Sequence, residues 1–195
     1  MVPFVGLTGG VGSGKSTALA ALERLGAAVL STDAVVHELY RSDELRDAVC
    51  ERWGPEMLRD GEVDRSAVAS RAFASDGDRK WLEGQLWPRV GMRVAQWREE
   101  VAAQEPSPPA GIVEVPLLFE AGMDDAFDAT IAVISDEDVR RGRAGARGHE
   151  AVDERVARLF LLGKLARRAT YVVVNDGSVE ELERKLSDVL ATLRG

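Results

Sequence analysis

Cysteine is nearly absent from this chain of 195 residues, which excludes stabilisation by disulfides within the chain. The single Cys50 has no paired histidine motif, so we expect a half-buried helix residue rather than a catalytic thiol. The two histidines, His37 and His149, form no cluster with cysteine at the spacing of a metal site. A metal centre built by the protein alone is therefore not expected, and His37 is predicted to be an exposed helix residue.

Long apolar runs and a surplus of positive charge are missing as well. Apolar runs such as Val115 to Phe119 are far shorter than the ~20 residues that span a bilayer, and no secretory signal is visible. With 33 acidic and 25 basic residues the net charge is -8, which argues against a dedicated nucleic-acid binder. We expect a cytoplasmic protein, a monomer or weak homo-oligomer, that binds neither membranes nor nucleic acid.

What the chain does contain is the pattern of an α/β protein. Its length suits one domain, and 45% hydrophobic with 30% charged residues is typical of a soluble globular fold. Short apolar runs alternate with longer amphipathic stretches, which predicts a five-stranded parallel sheet flanked by helices. The strands are predicted at Phe4 to Leu7, Ala28 to Leu30, Ile112 to Val115, Thr130 to Ile134 and Tyr171 to Val174.

No convincing strand interrupts the long block from Asp33 to Gln104. Apolar residues recur within it at spacings of three and four, which predicts one face of a long helix formed by Leu82, Leu86, Val90, Val94, Trp97 and Val101. Pro88 should kink or divide that helix. Packing within the protein, rather than ligand binding, is expected of Trp81, Trp87 and Trp97.

Residues 9–16 spell G-G-V-G-S-G-K-S, between an apolar run and a helix-like stretch, and fit the pattern G-x-x-x-x-G-K-[ST]. A strand that feeds a glycine-rich turn into a helix N-terminus directs several backbone N–H groups at one point, where the helix dipole favours negative charge. Lys15 adds a positive charge and the Ser16 hydroxyl is a magnesium ligand. The alternative is an ordinary glycine-rich turn with a solvated lysine. The context favours ATP or GTP binding through Gly10, Val11, Gly12, Ser13, Gly14, Lys15, Ser16 and Thr17.

The block from Ser135 to Thr170 is rich in arginine. The cluster from Arg140 to Arg147 forms either a solvated helix face or a lid that places guanidinium groups on phosphates, and we favour the lid. Arg167 and Arg168 are expected to be ordinary solvated residues. We therefore predict three parts. The core comprises residues 1–32, 111–135 and 170–195, the helical substrate-binding insertion comprises residues about 33–110, and the lid comprises residues about 136–169.

Motifs that read a guanine base, of the Asn-Lys-x-Asp type, are absent, and the chain is short for most ATPase machines. A small kinase remains, in which a carboxylate accepts the proton of the attacking hydroxyl. Asp33 is the best candidate because it follows the second predicted strand, at the edge where open parallel sheets bind ligands. Its alternative role is the N-cap of a helix from Ala34 to Tyr40, and it can serve both.

Several segments together resemble dephospho-CoA kinases, in order and over essentially the whole chain. They are V-G-L-T-G-G-V-G-S-G-K-S-T at 5–17, Leu25-Gly26 followed by Asp33, V-E-V-P-L-L-F-E-A-G at 113–122 and N-D-G-S at 175–178. The P-L-L-F-E segment discriminates this family much better than the phosphate loop does. The resemblance implies transfer of the ATP γ-phosphate to the ribose 3′-hydroxyl of dephospho-CoA, with Mg2+, on a parallel five-stranded core with a helical CoA-binding domain and a lid.

The resemblance also implies roles for individual residues. Asp33 corresponds to the catalytic base, Lys15 and Ser16 to contacts with phosphate and magnesium, and Asn175 to a residue near the adenine. The lid arginines correspond to Arg143 and Arg147. The substrate side corresponds to Thr8, Pro116, Leu117, Leu118 and Glu120. One of the two leucines is expected to pack on an apolar ligand surface, with core packing an equal alternative.

Some positions depart from the residues usual in this family: Ser31, His37, Trp87, Leu159 and Thr170. They spare the phosphate loop and the proposed base, but they touch the substrate and lid regions. Two alternatives therefore stay open. One is a kinase of the same fold that acts on another small alcohol, such as a nucleoside, nucleotide or sugar acid. The other is a nucleotide-binding module without catalysis.

Overall fold

The computed structural model describes residues 1–135, 163 and 167–194. Arg143, Arg147 and Leu159, with most of the predicted lid, lie outside these described residues. The chain forms two compact units, one of Met1–Ser31 with the chain from Arg98 onward, the other of Thr32–Trp97. In the described ranges, no helix combines the length and the apolar composition needed to cross a membrane.

The first unit is built on a five-stranded sheet with the strand order β2-β5-β1-β6-β7, in which every pairing is parallel. The strands are β1 (Phe4–Gly9), β2 (Ala28–Ser31), β5 (Gly111–Glu114), β6 (Ala129–Ile134) and β7 (Tyr171–Val174). The predicted parallel five-stranded α/β architecture is confirmed, and each strand lies within two residues of its predicted bounds. β1 lies at the centre of the sheet, so the loop that follows it has neighbours on both sides.

Two helices of this unit, α1 (Lys15–Arg24) and α6 (Val179–Leu193), contribute side chains to the core on the sheet. α6 shows why the sequence folds this way, since Leu182, Leu186 and Leu190 recur every four residues and are all buried. Its first turn is capped by Ser178, whose Oγ accepts a hydrogen bond from the Glu181 N–H. The core is thus closed by an amphipathic helix with a defined start.

The second unit contains α2 (Thr32–Leu39), α3 (Asp43–Trp53), α4 (Arg65–Ala74) and most of α5 (Asp76–Ala102). Cys50 lies half-buried in α3, as predicted. The prediction that this block holds no strand is wrong, because a short hairpin pairs β3 (Leu58–Arg59) with β4 (Glu62–Val63). The turn is Asp60-Gly61, with φ of 54° and 84°, which is the local signal for a two-residue hairpin.

Helix α5 runs unbroken for 27 residues with Pro88 inside it, so Pro88 does not divide the helix, and the alternative of a kink stays a prediction. In the turn before the proline, the Arg89 guanidinium donates to the Gln85 carbonyl at 2.6 Å, which satisfies an acceptor near the interruption. The predicted apolar face is confirmed, since all six of its residues are buried or half-buried.

The tryptophans of α5 divide into two groups. Trp97 is buried, and Trp81 packs edge-on against Trp53 with ring centroids 4.7 Å apart, as predicted. For Trp87 the packing prediction is wrong, because its side chain is 57% exposed. Trp87 precedes Pro88 on a stretch of helix that also exposes Gly84 and Gly91, so the small residues around it offer little surface to pack against.

Asp78 is the polar centre of the second unit. Its carboxylate accepts hydrogen bonds from Trp53 Nε1 at 3.1 Å and Arg52 Nη2 at 3.2 Å, and lies 3.5 Å from Arg71 Nε. These contacts join α3, α4 and α5. The hydrogen bond from Trp53 is the largest cause that lowers the pKa of Asp78 below its usual value, and burial opposes it.

We expect Asp78→Ala to lower the melting temperature by about 3 °C or more, because the buried Trp53 N–H loses its acceptor. Asp76→Ala, an exposed change two residues earlier in the same helix, is the control and should have little effect. A carboxyl group whose folded pKa is lowered stabilises the protein above its unfolded pKa and loses this effect as pH falls through the folded value. The difference in melting temperature between wild type and Asp78→Ala, measured by circular dichroism, should therefore shrink below about pH 4. A difference that grows with acidity contradicts this assignment.

Candidate active site

The loop between β1 and α1 has the backbone shape that the motif predicts. Gly12 and Gly14 have φ of 76° and 91°, in the left-handed region that glycine adopts without a steric cost. Gly14 directly precedes α1, and the Ser13 N–H donates to the Gly10 carbonyl at 3.1 Å, which closes the turn. The loop therefore ends at a helix N-terminus whose unpaired N–H groups suit a phosphate.

Lys15 lies along this loop rather than in solvent. Its Nζ donates to the carbonyl oxygens of Gly9 at 2.8 Å and Gly10 at 3.3 Å. The start of the loop also has no space for a side chain, since a Cβ at Gly9 would collide with the Val133 carbonyl of the neighbouring strand β6. The alternative of an ordinary turn with a solvated lysine does not fit this geometry.

Asn175 supports the loop from the far edge of the sheet. It follows β7, its backbone N–H donates to the Ile134 carbonyl at 2.7 Å, and its side-chain Nδ2 donates to the Ser13 carbonyl at 2.8 Å. Both Asn175 and Ser13 are buried. The structure thus gives Asn175 a supporting contact to the phosphate loop, whereas the contact with adenine implied by the family resemblance stays a prediction.

The loop after β5 begins beside β1. The hydroxyl of Thr8, which is buried in β1, donates to the Pro116 carbonyl at 3.2 Å. The two leucines that follow have opposite environments, since Leu117 is 62% exposed and Leu118 is fully buried. Leu118 is therefore a core residue, and Leu117 is the leucine that is available to a ligand. Glu120 is exposed on the same loop.

Sequence reasoning did not single out Glu114. This carboxylate is the last residue of β5, is only 7% exposed, and stands in register with Leu7 of β1 on one side and Ser31 of β2 on the other. Charged residues are seldom buried without a function or a partner. The signal was present in the sequence, as an acidic residue that ends an apolar strand beside the strand of the phosphate loop.

The oxygen donors at this edge of the sheet suit a hard divalent cation. The Ser16 hydroxyl stands in the first turn of α1, and Glu114 ends the neighbouring strand. Among the residues that the structure describes, no group of three or more His, Cys, Asp and Glu side chains could hold a metal. The hydroxyl of Ser16 and the carboxylate of Glu114 are ligand types that fit Mg2+, which keeps several waters and takes ligands from nucleotide phosphates.

Asp33 is the second residue of α2 and is exposed. The helix begins at Thr32, directly after β2 ends at Ser31, so Asp33 lies in its first turn and does not cap a helix from Ala34. A carboxylate in the first turn is favoured by the helix dipole. Asp33 belongs to the second unit.

Two of the positions that depart from the family pattern have partners within their own units. His37 is half-buried in α2, not exposed as predicted, and its Nδ1 contacts the Arg65 guanidinium, which also lies over the Tyr40 ring. Thr170 forms a reciprocal pair with Thr130, in which each hydroxyl accepts the backbone N–H of the other residue at 3.0 Å. Both substitutions therefore have structural roles.

We expect Asn175→Ala to raise the dissociation constant for ATP about tenfold, because the Ser13 carbonyl loses a buried donor and the loop loses its support. Val174→Ala, at the exposed preceding residue, is the matched control. Isothermal titration calorimetry with ATP and magnesium measures both variants. An Asn175→Ala protein that folds normally and binds ATP as tightly as wild type contradicts the supporting role.

Comparison with known proteins agrees with this geometry. The family model for dephospho-CoA kinase matches residues 3–181. The chain is 37% identical to the dephospho-CoA kinase of Anaeromyxobacter dehalogenans, across 98% of this chain and 92% of that protein. Among solved structures, it resembles TT1252 from Thermus thermophilus with 34% identity and a TM-score of 0.76, each chain being covered completely.

The dephospho-CoA kinase of Campylobacter jejuni shares the fold at 20% identity, with a TM-score of 0.75 over 100% of this chain and 98% of that one. The family model spans nearly the whole chain, and the Anaeromyxobacter relative matches it almost from end to end. The resemblance carried by the phosphate loop and the P-L-L-F-E segment is confirmed. The chain belongs to the dephospho-CoA kinase family.

Proposed function

We propose that this protein transfers the γ-phosphate of ATP to the ribose 3′-hydroxyl of dephospho-CoA, which gives CoA and ADP in the last step of CoA biosynthesis. The observation that carries the proposal is the hydrogen bond that joins β1, which leads into the phosphate loop, to the loop after β5, which the family resemblance assigns to the substrate side. Thr8 in β1 holds Pro116 directly, so the two loops share one anchor. Family membership over residues 3–181 supports the same acceptor.

Phosphate binding falls to the backbone and to one side chain. The N–H groups of Gly12, Gly14, Lys15 and Ser16 suit the β-phosphate, because they lie where the loop enters α1. The Lys15 ammonium, which bonds to two carbonyl oxygens of the loop, stands beside this cradle. Its charge offsets the negative charge of the transferring group.

The Ser16 hydroxyl and the Glu114 carboxylate are the residues that would hold Mg2+, because both are oxygen donors of the kind that this ion prefers. When bound with ATP, the ion would neutralise negative charge on the phosphates. Burial of Glu114 fixes its position at the end of β5. The protein's part is to orient the ion, and the nucleotide supplies its other ligands.

Asp33 is proposed as the base that orients the 3′-hydroxyl and accepts its proton. Phosphoryl transfer depends mainly on positioning and charge stabilisation, and the attacking hydroxyl has one proton to lose. A carboxylate can both orient that hydroxyl and accept its proton. Asp33 stands two residues after the end of β2, whose neighbour in the sheet is β5. The lid arginines Arg143 and Arg147 are proposed to close on the phosphates and exclude water.

A coupled assay of ADP release tests the acceptor. Purified protein with ATP and magnesium is expected to prefer dephospho-CoA over a panel of nucleosides, nucleotides, shikimate and gluconate, since only this acceptor matches the family. The CoA product is identified by mass spectrometry. A higher kcat/KM for any other member of the panel assigns the enzyme to that alcohol. Tight ATP binding without product from any acceptor instead indicates a nucleotide-binding module.

Asp33→Asn is expected to lower kcat by about a hundredfold or more, because the amide cannot accept the hydroxyl proton. The matched control is Glu38→Gln, which neutralises an exposed acid on the same helix and should leave kcat unchanged. Steady-state kinetics with dephospho-CoA measures both variants. Near-normal turnover of Asp33→Asn would remove this residue from the role of base.

A further inference from the structure

Arg168 contacts the loop after β5 in three different ways. Its Nη1 donates to the Phe119 carbonyl at 2.9 Å, and its Nη2 lies 2.7 Å from both carboxylate oxygens of Asp124. Its guanidinium carbon also lies 4.9 Å from the centroid of the Phe119 ring. One side chain, two residues before Thr170, therefore holds a backbone group, a ring and a carboxylate of the same loop. The sequence-based expectation of an ordinary solvated residue is wrong.

These contacts differ from an ordinary surface ion pair, which stabilises proteins very little. The ring beneath the guanidinium is buried, and the guanidinium engages both carboxylate oxygens of Asp124. The hydrogen bond from Arg168 is the largest cause that lowers the pKa of Asp124 below its usual value. Arginine is suited to such a site because its planar donors reach several acceptors at once.

Arg168 also completes a turn that the loop forms by itself. The Ala121 N–H donates to the Leu117 carbonyl at 2.9 Å, and the Met123 N–H donates to the Leu118 carbonyl at 3.0 Å. The Phe119 carbonyl accepts both Arg168 Nη1 and, at 3.3 Å, the Gly122 N–H. Arg168 thus binds the middle of the turn and, through Asp124, the point where the turn ends.

The turn carries two exposed side chains that the family resemblance assigns to the substrate side. Thr8 fixes its start at Pro116, and Leu118 anchors it in the core, while Leu117 and Glu120 are exposed. Arg168 is the contact that fixes the far end. Without it, the turn would keep its own backbone hydrogen bonds but lose the contacts from Arg168, and any ordering then left to ligand binding weakens that binding.

We propose that Arg168 is a positioning residue for the acceptor, which holds the turn 117–123 so that Leu117 and Glu120 meet dephospho-CoA already in place. This inference rests on the proposed function. A residue that acts in this way affects acceptor binding, leaves ATP binding unchanged, and has little effect on the transfer step once both substrates are bound.

Arg168→Gln is therefore expected to raise KM for dephospho-CoA about tenfold, with KM for ATP and kcat within about twofold of wild type. The neighbouring exposed Arg167→Gln is the control and should change none of these constants. Arg168→Lys should restore part of the affinity, because one ammonium reaches fewer of the acceptors. Asp124→Asn should raise KM for dephospho-CoA about as much as Arg168→Gln does. In the double variant, the loss of binding free energy should be smaller than the sum of the two single losses.

Hydrogen exchange gives a second measurement that does not depend on the acceptor. The N–H groups of Ala121, Gly122 and Met123 should exchange about tenfold faster in Arg168→Gln than in wild type, while those of β1 do not change. Unchanged exchange, an equal rise in both KM values, or full additivity of the double variant overturns the positioning role. If wild type does not phosphorylate dephospho-CoA, the proposed function fails, and the exchange result alone decides whether Arg168 holds the turn.

Discussion

The site depends on the buried hydrogen bond from Asn175 Nδ2 to the Ser13 carbonyl, which joins the edge strand of the sheet to the phosphate loop. The loop itself has few side chains with which to hold its shape, since six of the eight residues from 9 to 16 are glycine or serine. A loop whose function lies in its backbone N–H groups must be stiffened from outside. Asn175 and the central position of β1 supply that support.

In the loop after β5, by contrast, we propose that the side chains rather than the backbone carry the function. Its two adjacent leucines differ in burial, since Leu118 packs in the core and Leu117 is exposed. Such a division is possible only where the backbone is fixed, since a small rotation of the turn would exchange the two environments. Thr8 fixes one end and Arg168 the other, so both loops of the site are held by residues distant in the chain.

The same distinction explains how much could be predicted from the sequence. The five strands and the phosphate loop follow from local patterns, namely short apolar runs and glycine spacing. The support residues do not, because Asn175 and Ser13 are 162 positions apart, and Arg168 and Phe119 are 49 apart. The hairpin at Asp60-Gly61 could have been predicted from its turn, since that pair is a known turn signal. Its two-residue strands, however, are too short to show an alternating pattern.

The positions that depart from the family pattern differ in the contacts that their side chains make. Thr170 is committed to strand β6 through its reciprocal pair with Thr130, and so its change need not alter the phosphate loop. The ring of His37 contacts the Arg65 guanidinium, so a positive charge lies beside α2. Trp87 has no such structural explanation, because its ring is largely exposed.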